Sequence, residues 1–451
     1  MKRTNSILIL LLASSFAHAD GPLVAKPITG TALLKPPADI AAKAGSNFTI
    51  AKAAPSLDIV VIDNLPDKGK QTLWSTWGDG CVHSNGKYYT SIGDHMGVDS
   101  TSHLYEYDPQ TKKLTLIVDV LRDLKIPAGI YGHGKVHSGI HEAADGSIYF
   151  STYWGKHREV DAHFGKSFEG SVVLRYDPKS KKLEDLGAIV PRQGLPASHF
   201  DAERGLLYFY AVYKSDLCVY DVNKRQRLFL GGGDIIAGSR AMMRDAKGRL
   251  YFTGKDDVLH YYDPATNALA ATKVGLPESQ GAKSKGDTLR AAISRPTKKG
   301  LIYGMTASGQ VFEFNPGAGG AASSGPAAAP AVRDLGPNFG TGGYTAAMAI
   351  SPDDRFLYFV PGAHGSSGSV GSPVVQIEIA TGKRKVLAFL SQPLKDKLGY
   401  YTGGTYNLQI DANGESLYMT FNGQSAESAA KKAIGFGLPS VMVLHIPASE
   451  R

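Results

Sequence analysis

A repeated pattern of polar turn and apolar strand runs along the chain from about residue 57. In each copy a turn leads into a short apolar run with a tyrosine near its centre, as in GSIYFST and GLLYFYAV. The seven tyrosines lie 43 to 60 residues apart and are Tyr89, Tyr149, Tyr208, Tyr251, Tyr303, Tyr358 and Tyr418. A period in this range built only from strands is typical of a β-propeller, with one blade per repeat. We therefore predict an all-β chain that forms a seven-bladed β-propeller of four-stranded antiparallel blades.

The last repeat lacks a strand that the others have. After its third strand, at residues 441–446, almost no chain is left for an outer strand, whereas a spare apolar strand at residues 57–62 precedes the first repeat. Pairing the two would complete the seventh blade and remove an exposed sheet edge. The sequence thus predicts a ring of seven blades that is closed by an N-terminal strand.

The segments before the repeats differ from them in composition. Residues 1–19 have the form of a secretory signal peptide, with Lys2 and Arg3, the apolar run ILILLLASSF and a small-x-small cleavage site at residues 17–19. Residues 20–56 are rich in Ala, Pro and Lys and predict an extended surface leader, and residues 57–451 form the propeller. We expect a secreted or periplasmic protein, because the apolar run is too short to span a bilayer and no later stretch qualifies.

Net charge and cysteine content limit the kinds of partner, disulfide and metal site that can be expected. Removal of Lys2 and Arg3 lowers the formal net charge from +8 to +6, a mild excess that favours anionic partners and gives no reason to expect nucleic acid. Cys81 and Cys218 fall in blades one and three, which do not touch, so we expect no disulfide between them. Two cysteines are also too few for a cysteine-ligated metal site. We expect a monomer.

The strand directions predict where chemistry would be found. Because antiparallel strands alternate, the starts of the inner strands and the ends of the tyrosine strands lie on one face, around the mouth of the axial channel. Aromatic, His and Arg side chains that converge on such a mouth are typical of a ligand site. We expect one cavity surrounded by His95, His133, His137, His199, Arg240, Arg290 and Tyr406, with Tyr344, Trp154, His157 and His364 on the same face.

The stretch His133-Gly134-Lys135-Val136-His137 is the most specific of these signals. In a strand, a period of two puts its two histidines and its lysine on a common side. Glycines beside them allow a backbone to come close to a ligand. We interpret this stretch as part of the site.

These residues suit a lyase that acts on uronic-acid saccharides. β-Elimination needs a cation at the carboxylate, a base for the acidic proton and an acid for the leaving oxygen. Arg240 and Arg290 fit the first role, His137 or His199 the second, and Tyr406 or Tyr344 the third. We take His137 as the base, with an ordinary pKa near 6.5, His199 as its alternative and Tyr406 as the acid. The proposed substrate-binding residues are His133, Lys135, Arg240, Arg290, Tyr344, His95 and Trp154.

In blade count and in this inventory of His, Arg and Tyr the chain resembles the propeller polysaccharide lyases of the oligogalacturonate and rhamnose–glucuronate type. Its repeat phrases are similar to those of streptogramin-lyase-like propellers. The resemblance implies β-elimination of an anionic saccharide. Two alternatives stay open: a non-catalytic propeller that binds a saccharide or a protein, and a hydrolase whose histidines hold a divalent metal. No cofactor is predicted, and the docking repeats of quinone-dependent dehydrogenases are missing.

Overall fold

The computed structural model describes residues 21–45, 47–69, 72–166, 168–238, 240–278, 287–317, 329–339, 343–431 and 435–451. Seven sheets follow one another along the chain, and each contains four antiparallel strands. The prediction of a seven-bladed β-propeller is confirmed. The proposed signal peptide lies outside the described residues.

The strands of each blade are given from the channel outwards. Blade one contains Cys81–Val82, Tyr88–Gly93, Ser102–Asp108 and Lys113–Asp119. Blade two contains His141–Glu142, Ile148–Ser151, Val173–Asp177 and Lys182–Asp185. Blade three contains Gly194–Asp201, Leu206–Val212, Asp216–Asp221 and Gln226–Gly231. Blade four contains Met243–Arg244, Leu250–Thr253, Val258–Asp263 and Ala268–Gly275.

The remaining blades follow the same plan. Blade five contains Leu289–Ala292, Ile302–Thr306, Gln310–Asn315 and Ala331–Pro337. Blade six contains Met348–Ile350, Phe356–Phe359, Pro373–Glu378 and Arg384–Phe389. Blade seven contains Tyr400–Thr405 with Gln409–Ile410, then Ser416–Ser425, Ser440–His445 and Ser56–Val61. The short helices are Ala38–Ala41, Val120–Asp123, Ser391–Leu398 and Ala426–Ala430, with 3-10 turns at Thr31–Leu34, Val160–His163, Ser367–Val370 and Ala448–Glu450.

An N-terminal strand closes the ring, as predicted. Ser56–Val61 pairs antiparallel with Ser440–His445, so that Val60 lies opposite Val441. Asp58 on this strand ion-pairs with His445 at 3.0 Å and with Lys112 of blade one at 2.9 Å. One buried carboxylate therefore ties both ends of the chain to the first blade.

The residues before the closing strand run along the outside of three blades. Leu23–Val24 pairs with the outer strand of blade one, Lys26–Ile28 with the closing strand, and Thr49–Ile50 with the outer strand of blade six. The carboxylate of Glu450 accepts hydrogen bonds from the amides of Lys52 and Ala53 at 2.6 and 3.0 Å. These contacts cover sheet edges that would otherwise be open.

The repeated tyrosines are part of the core. All seven are 6% exposed or less and belong to the buried hydrophobic clusters of the propeller. Several hydroxyls find a partner inside the sheet, as Tyr303 does with Glu313 at 2.6 Å. Cys81 and Cys218 are both buried and free. No helix in the described part of the chain combines the length and the apolar character needed to span a bilayer.

A cationic cavity on the propeller axis as candidate functional site

A cavity of about 270 Å³ lies on the axis of the ring, and all seven blades contribute to its lining. The contacts come from the inner strands and from the segments that flank them, for example Pro196 to Phe200 and Ala202 in blade three. Its aromatic, polar and charged lining residues include Trp77, Asp79, His137, His141, Glu142, Ser198, His199, Arg240, Arg290, Tyr406 and Gln409. Five residues of the set expected from strand direction therefore line one cavity, namely His137, His199, Arg240, Arg290 and Tyr406.

Trp77 is the centre of an aromatic cluster at this cavity. Its indole N–H donates to Ser75 Oγ at 2.7 Å, which fixes the plane of the ring. Five other rings have centroids 5.0 to 5.8 Å from that of Trp77, and they belong to His95, His137, His364, Tyr406 and Phe436. Such a cluster gives the cavity a rigid, partly apolar wall.

Arg290 is a buried cation without a carboxylate partner in the described part of the chain. It is 6% exposed, its Nε donates to Tyr344 Oη at 2.5 Å, and its Nη2 has no hydrogen-bond partner. Its guanidinium carbon lies 4.5 Å from the ring centroid of Tyr344 and 5.7 Å from that of Tyr406. Burial lowers the pKa of Arg290, and the charge of Arg240 lowers it further. The tyrosine faces offset part of the cost of burial, and the Nη2 hydrogens are left without an acceptor among the described residues.

Lys135 and Arg240 complete the cationic group. Arg240 is exposed and lines the cavity. Lys135 is 8% exposed, and its ammonium lies 5.0 Å from the ring centroid of Trp77 and 5.5 Å from that of Tyr153. Burial, followed by the charge of Arg240, lowers the pKa of Lys135 to about 7. Arg240 repels both Lys135 and Arg290, and this concentration of positive charge favours a bound anion. Lys135 itself is not among the residues that line the cavity.

His137 is held as a neutral ring with one nitrogen free. Its Nδ1 lies 2.8 Å from the carbonyl oxygen of Pro196. A carbonyl oxygen only accepts, so Nδ1 carries the proton and Nε2 keeps its lone pair. The pKa of His137 lies well below 6.5, first through burial and then through the charges of Arg240 and Lys135. The expectation of an ordinary pKa near 6.5 is therefore wrong, because the same cations that would hold an anion disfavour the imidazolium.

Tyr406 and His364 form a second polar pair at the cavity. Tyr406 Oη and His364 Nδ1 share a hydrogen bond of 2.6 Å. Burial raises the pKa of Tyr406, so its phenol is protonated at neutral pH. Burial and the charges of Arg240, Arg290 and Lys135 lower the pKa of His364. The structure thus places a proton-bearing phenol beside the cations.

The other proposed binding residues do not all lie at the cavity. Tyr344 belongs to the site through its hydrogen bond with Arg290. His95 is half-buried with its ring 5.4 Å from that of Trp77, and burial followed by the charge of Lys135 lowers its pKa to about 3. His95 therefore contacts the aromatic cluster as a neutral ring.

His199 lines the cavity at a deeper level than expected. The inner strand of blade three begins at Gly194 rather than next to Ser198, and Pro196 is the residue level with His137. His199 therefore lies three residues further along the channel. Its Nε2 is buried without a hydrogen-bond partner, and burial followed by Arg244 and His141 lowers its pKa well below 6.5.

The stretch from His133 to His137 does not present one face to the cavity. Only Lys135 forms a bridge, with Tyr153, so the period of two that a regular strand would impose does not hold here. His133 instead hydrogen-bonds Thr152 Oγ1 at 2.8 Å and packs against Phe168. The flanking glycines serve packing between blades rather than a ligand. A Cβ on Gly134 would lie only 2.3 Å from Ser100 Oγ. The backbone of Gly134 packs so closely against the loop of blade one that there is no space for a side chain.

Trp154 is also structural. Its side chain is fully buried, donates to His157 Nδ1 at 3.0 Å and stacks on the rings of Tyr153 and Tyr213. The end of the tyrosine strand in blade two therefore points its tryptophan into the wall, where no ligand can reach it. The exposed ring of this group belongs to Tyr213.

Six of the cavity residues named above were not among the predicted site residues, namely Trp77, Asp79, His141, Glu142, Ser198 and Gln409. Trp77 lies four residues before the inner strand Cys81–Val82 of blade one. The rule that pointed to residues at the inner-strand entries of the other blades would have found it if it had been applied to blade one. Asp79 lies in the same segment, but an aspartate next to a glycine is more commonly a turn residue. In the structure its carboxylate lines the cavity and accepts hydrogen bonds from Gln409 Nε2 at 2.8 Å and from the amide of Leu408 at 3.2 Å.

The histidines do not assemble into an obvious metal centre. Among the described residues, no group of three or more His, Cys, Asp or Glu side chains is arranged to hold a metal ion. Three of the histidines use their Nδ1 atom in hydrogen bonds within the protein. His133 bonds to Thr152, His137 to Pro196 and His364 to Tyr406.

Fold and site together define a seven-bladed β-propeller with a cationic, aromatic-walled axial cavity. No protein-family model and no curated protein matches the chain. Among solved structures, it is similar to the WD40 repeats of RRP9 and to U3-55K, in each case with 10% identity, a TM-score of 0.50, and coverage of 86% of this chain and 98% of the other. At that identity the likeness shows the fold alone. Neither structure is described as a polysaccharide lyase.

Proposed function

We propose that the protein binds a carboxylate-bearing saccharide at the axial cavity, with Arg290 and Arg240 holding the carboxylate. The observation that supports the proposal best is Arg290 itself, a buried guanidinium with an unpaired Nη2 at a cavity lined by a second arginine. A buried charge without a partner is costly. An anionic ligand would remove that cost, and a planar guanidinium suits a carboxylate because it can donate two parallel hydrogen bonds.

The remaining wall suits a sugar ring better than a bare ion. Trp77 and Tyr406 offer ring surfaces, while His137 Nε2 offers an acceptor for a hydroxyl group. Saccharides present both apolar C–H faces and hydroxyls, so they can use both kinds of contact. The cavity of about 270 Å³ lies near the lower end of the range for small-molecule sites, which favours one sugar residue inside it.

Calorimetry with uronic-acid mono- and oligosaccharides tests the proposal. Replacement of Arg290 by Gln or of Arg240 by Ala should weaken binding by about 1.5–3 kcal/mol, roughly 10- to 100-fold in Kd, the usual contribution of a charge-assisted hydrogen bond. Arg355→Ala is the matched control, because this exposed arginine pairs with Asp353 away from the cavity. Equal affinity in the wild-type protein and both cavity variants would remove the basis of the proposal.

A second candidate function is cleavage of that saccharide by β-elimination. It is favoured by the neutral His137, whose Nε2 lone pair is free to accept a proton, together with the protonated phenol of Tyr406. The arginines would stabilise the negative charge that develops on the carboxylate when the neighbouring proton leaves. Lys135 is a competing base, since its pKa of about 7 leaves a large neutral fraction at neutral pH.

Formation of an unsaturated uronate, followed by its ultraviolet absorbance, tests the elimination. Pectic, glucuronate-rich and ulvan-type saccharides are the substrates to mix with the protein. His137→Ala should lower the rate by about two to four orders of magnitude, the usual contribution of a general base. If activity survives in His137→Ala and is lost in Lys135→Met, the lysine is the base. Binding without product from any of these substrates would leave a non-catalytic binding propeller.

A further inference from the structure

The axial cavity contains charges of both signs that are not paired with each other. Arg240 and Arg290 line it, and so does Asp79. The hydrogen bonds of Asp79 come from neutral donors, namely the amides of Gly80 and Leu408 and the side-chain amide of Gln409, at 2.8 to 3.2 Å. None of the ion pairs among the described residues joins Asp79 to a lysine or an arginine. The carboxylate is therefore as uncompensated as the arginines.

Asp79 lies deeper in the channel than the aromatic cluster. It follows Trp77 by two residues on the same segment, and both side chains line the cavity. Asp79 and the two arginines belong to the lining of this one cavity of about 270 Å³. A ligand that fills the cavity therefore contacts the arginines with one group and Asp79 with another.

The local environment of Asp79 favours a cationic partner. Burial raises its pKa to about 7, against the hydrogen bonds from Gln409, Leu408 and Gly80 that lower it. The titratable groups that interact with it are Cys81 and Tyr88, neither of which carries a positive charge. A hydroxyl of the ligand would leave the carboxylate charge unbalanced, whereas a protonated amine would balance it.

We infer that the ligand is zwitterionic, with its carboxylate at Arg290 and Arg240 and a protonated amine at Asp79. The chemical class is an amino-sugar acid with a free amine. The inference rests on the proposed function, since the arginines must hold the carboxylate for the amine to reach Asp79.

Two probes that differ only at the amine make the test. Muramic acid carries a carboxylate and a free amine on one sugar, and N-acetylmuramic acid carries the same carboxylate with the amine blocked. At pH 7 the wild-type protein should bind muramic acid roughly 10- to 100-fold more tightly, the range expected for one charge-assisted hydrogen bond. Asp79→Asn should bind both probes with similar affinity.

Proton release on binding gives a second measurement. A change in the packing around Asp79 would not by itself change the number of protons released. With a pKa of about 7, Asp79 is about half protonated at pH 7, so binding of the free amine should expel protons, seen as a dependence of the binding heat on the buffer. Asp79→Asn should abolish that release. The matched control is Glu142→Gln, because this second cavity carboxylate already bonds to Ser84 and His83 and should leave the selectivity unchanged.

The outcomes separate the two proposals. Equal binding of the two probes by the wild-type protein, with Arg290→Gln still weakening both, would overturn the role of the amine and leave the carboxylate site intact. A preference for the free amine that persists in Asp79→Asn would overturn the assignment of Asp79. Binding of neither probe, nor of any uronate, would overturn the carboxylate site and this inference with it.

Discussion

At the scale of single residues, Lys135 and Arg290 are buried cations at or beside the cavity. Neither forms an ion pair with a carboxylate among the described residues. Burial, followed by the charge of Arg240, lowers the pKa of Lys135 to about 7, and its ammonium lies close to the rings of Trp77 and Tyr153. A lysine in that state changes its charge within the physiological range, as histidine normally does. The neighbouring histidines cannot take that role, since their pKa values are lowered towards 4 or below, as for His133 and His95.

This predicts how affinity changes with pH. As pH rises from 6 to 8.5, Lys135 loses its proton, so the Kd for a plain carboxylate ligand such as galacturonate should rise on the order of tenfold. Asp79 ionises over the same range and also weakens such a ligand, so the titration is best measured in the Asp79→Asn background. There, Lys135→Met should bind more weakly at pH 6 and show a flat profile. A profile unchanged by Lys135→Met would assign the pH dependence to another group.

At the scale of elements, the closing strand carries the most informative polar contact. Asp58 is 4% exposed and accepts hydrogen bonds from His445 and Lys112, which hold together blade seven and blade one. Burial acts to raise the pKa of Asp58, but the hydrogen bonds and charges of His445 and Lys112 outweigh it, and the net pKa is lowered. The ionised form is therefore favoured by folding.

Asp58→Asn should lower the free energy of unfolding by about 1–3 kcal/mol at pH 7, as expected for hydrogen bonds to a charged group with partly exposed partners. Because the folded-state pKa is lowered, this stabilisation is present above the ordinary value near 3.8 and is lost as pH falls through the folded value. Denaturant unfolding from pH 7 to pH 3 should show the two proteins converging in acid. The exposed ion pair of Glu427 with Lys431 supplies a control, and Glu427→Gln should leave the stability essentially unchanged. A constant difference at all pH values would exclude the ion pairs as its cause.

At the scale of the whole molecule, ring closure depends on a strand far from its partner in sequence. The closing strand is antiparallel to Ser440–His445, and the segment before it covers the edges of blades one, six and seven. Loss of the closing strand would leave a long, apolar sheet edge that is open to other chains.

Two truncations separate closure from edge cover. A chain that starts at residue 52 keeps the closing strand and should show the same association state as the full chain, with a modestly lower Tm. A chain that starts at residue 63 should unfold at a much lower temperature and self-associate, as followed by calorimetry and sedimentation velocity. A synthetic peptide of residues 52–63 should restore part of the lost Tm by pairing with the open edge. Equal Tm values for the two truncations would mean that closure contributes little.

The alternation of apolar and polar positions around the seven tyrosines was enough to determine the blade count and the strand that closes the ring. These features depend on local pattern and on the need to cover sheet edges, both of which a sequence displays directly. The shared cavity of His137, Arg240, Arg290 and Tyr406 followed from strand direction alone.

The tertiary structure decided which side chains reach the cavity, and the two-residue period of a strand could not predict this. The segment before the inner strand of blade two is irregular, so His133 turns into the blade while His137 reaches the cavity. The early start of the strand in blade three shifts His199 along the channel. The charge states of Lys135 and Asp79 could not be predicted from the sequence either. Their pKa values depend on burial and on neighbours from other blades, which only the closed ring brings together.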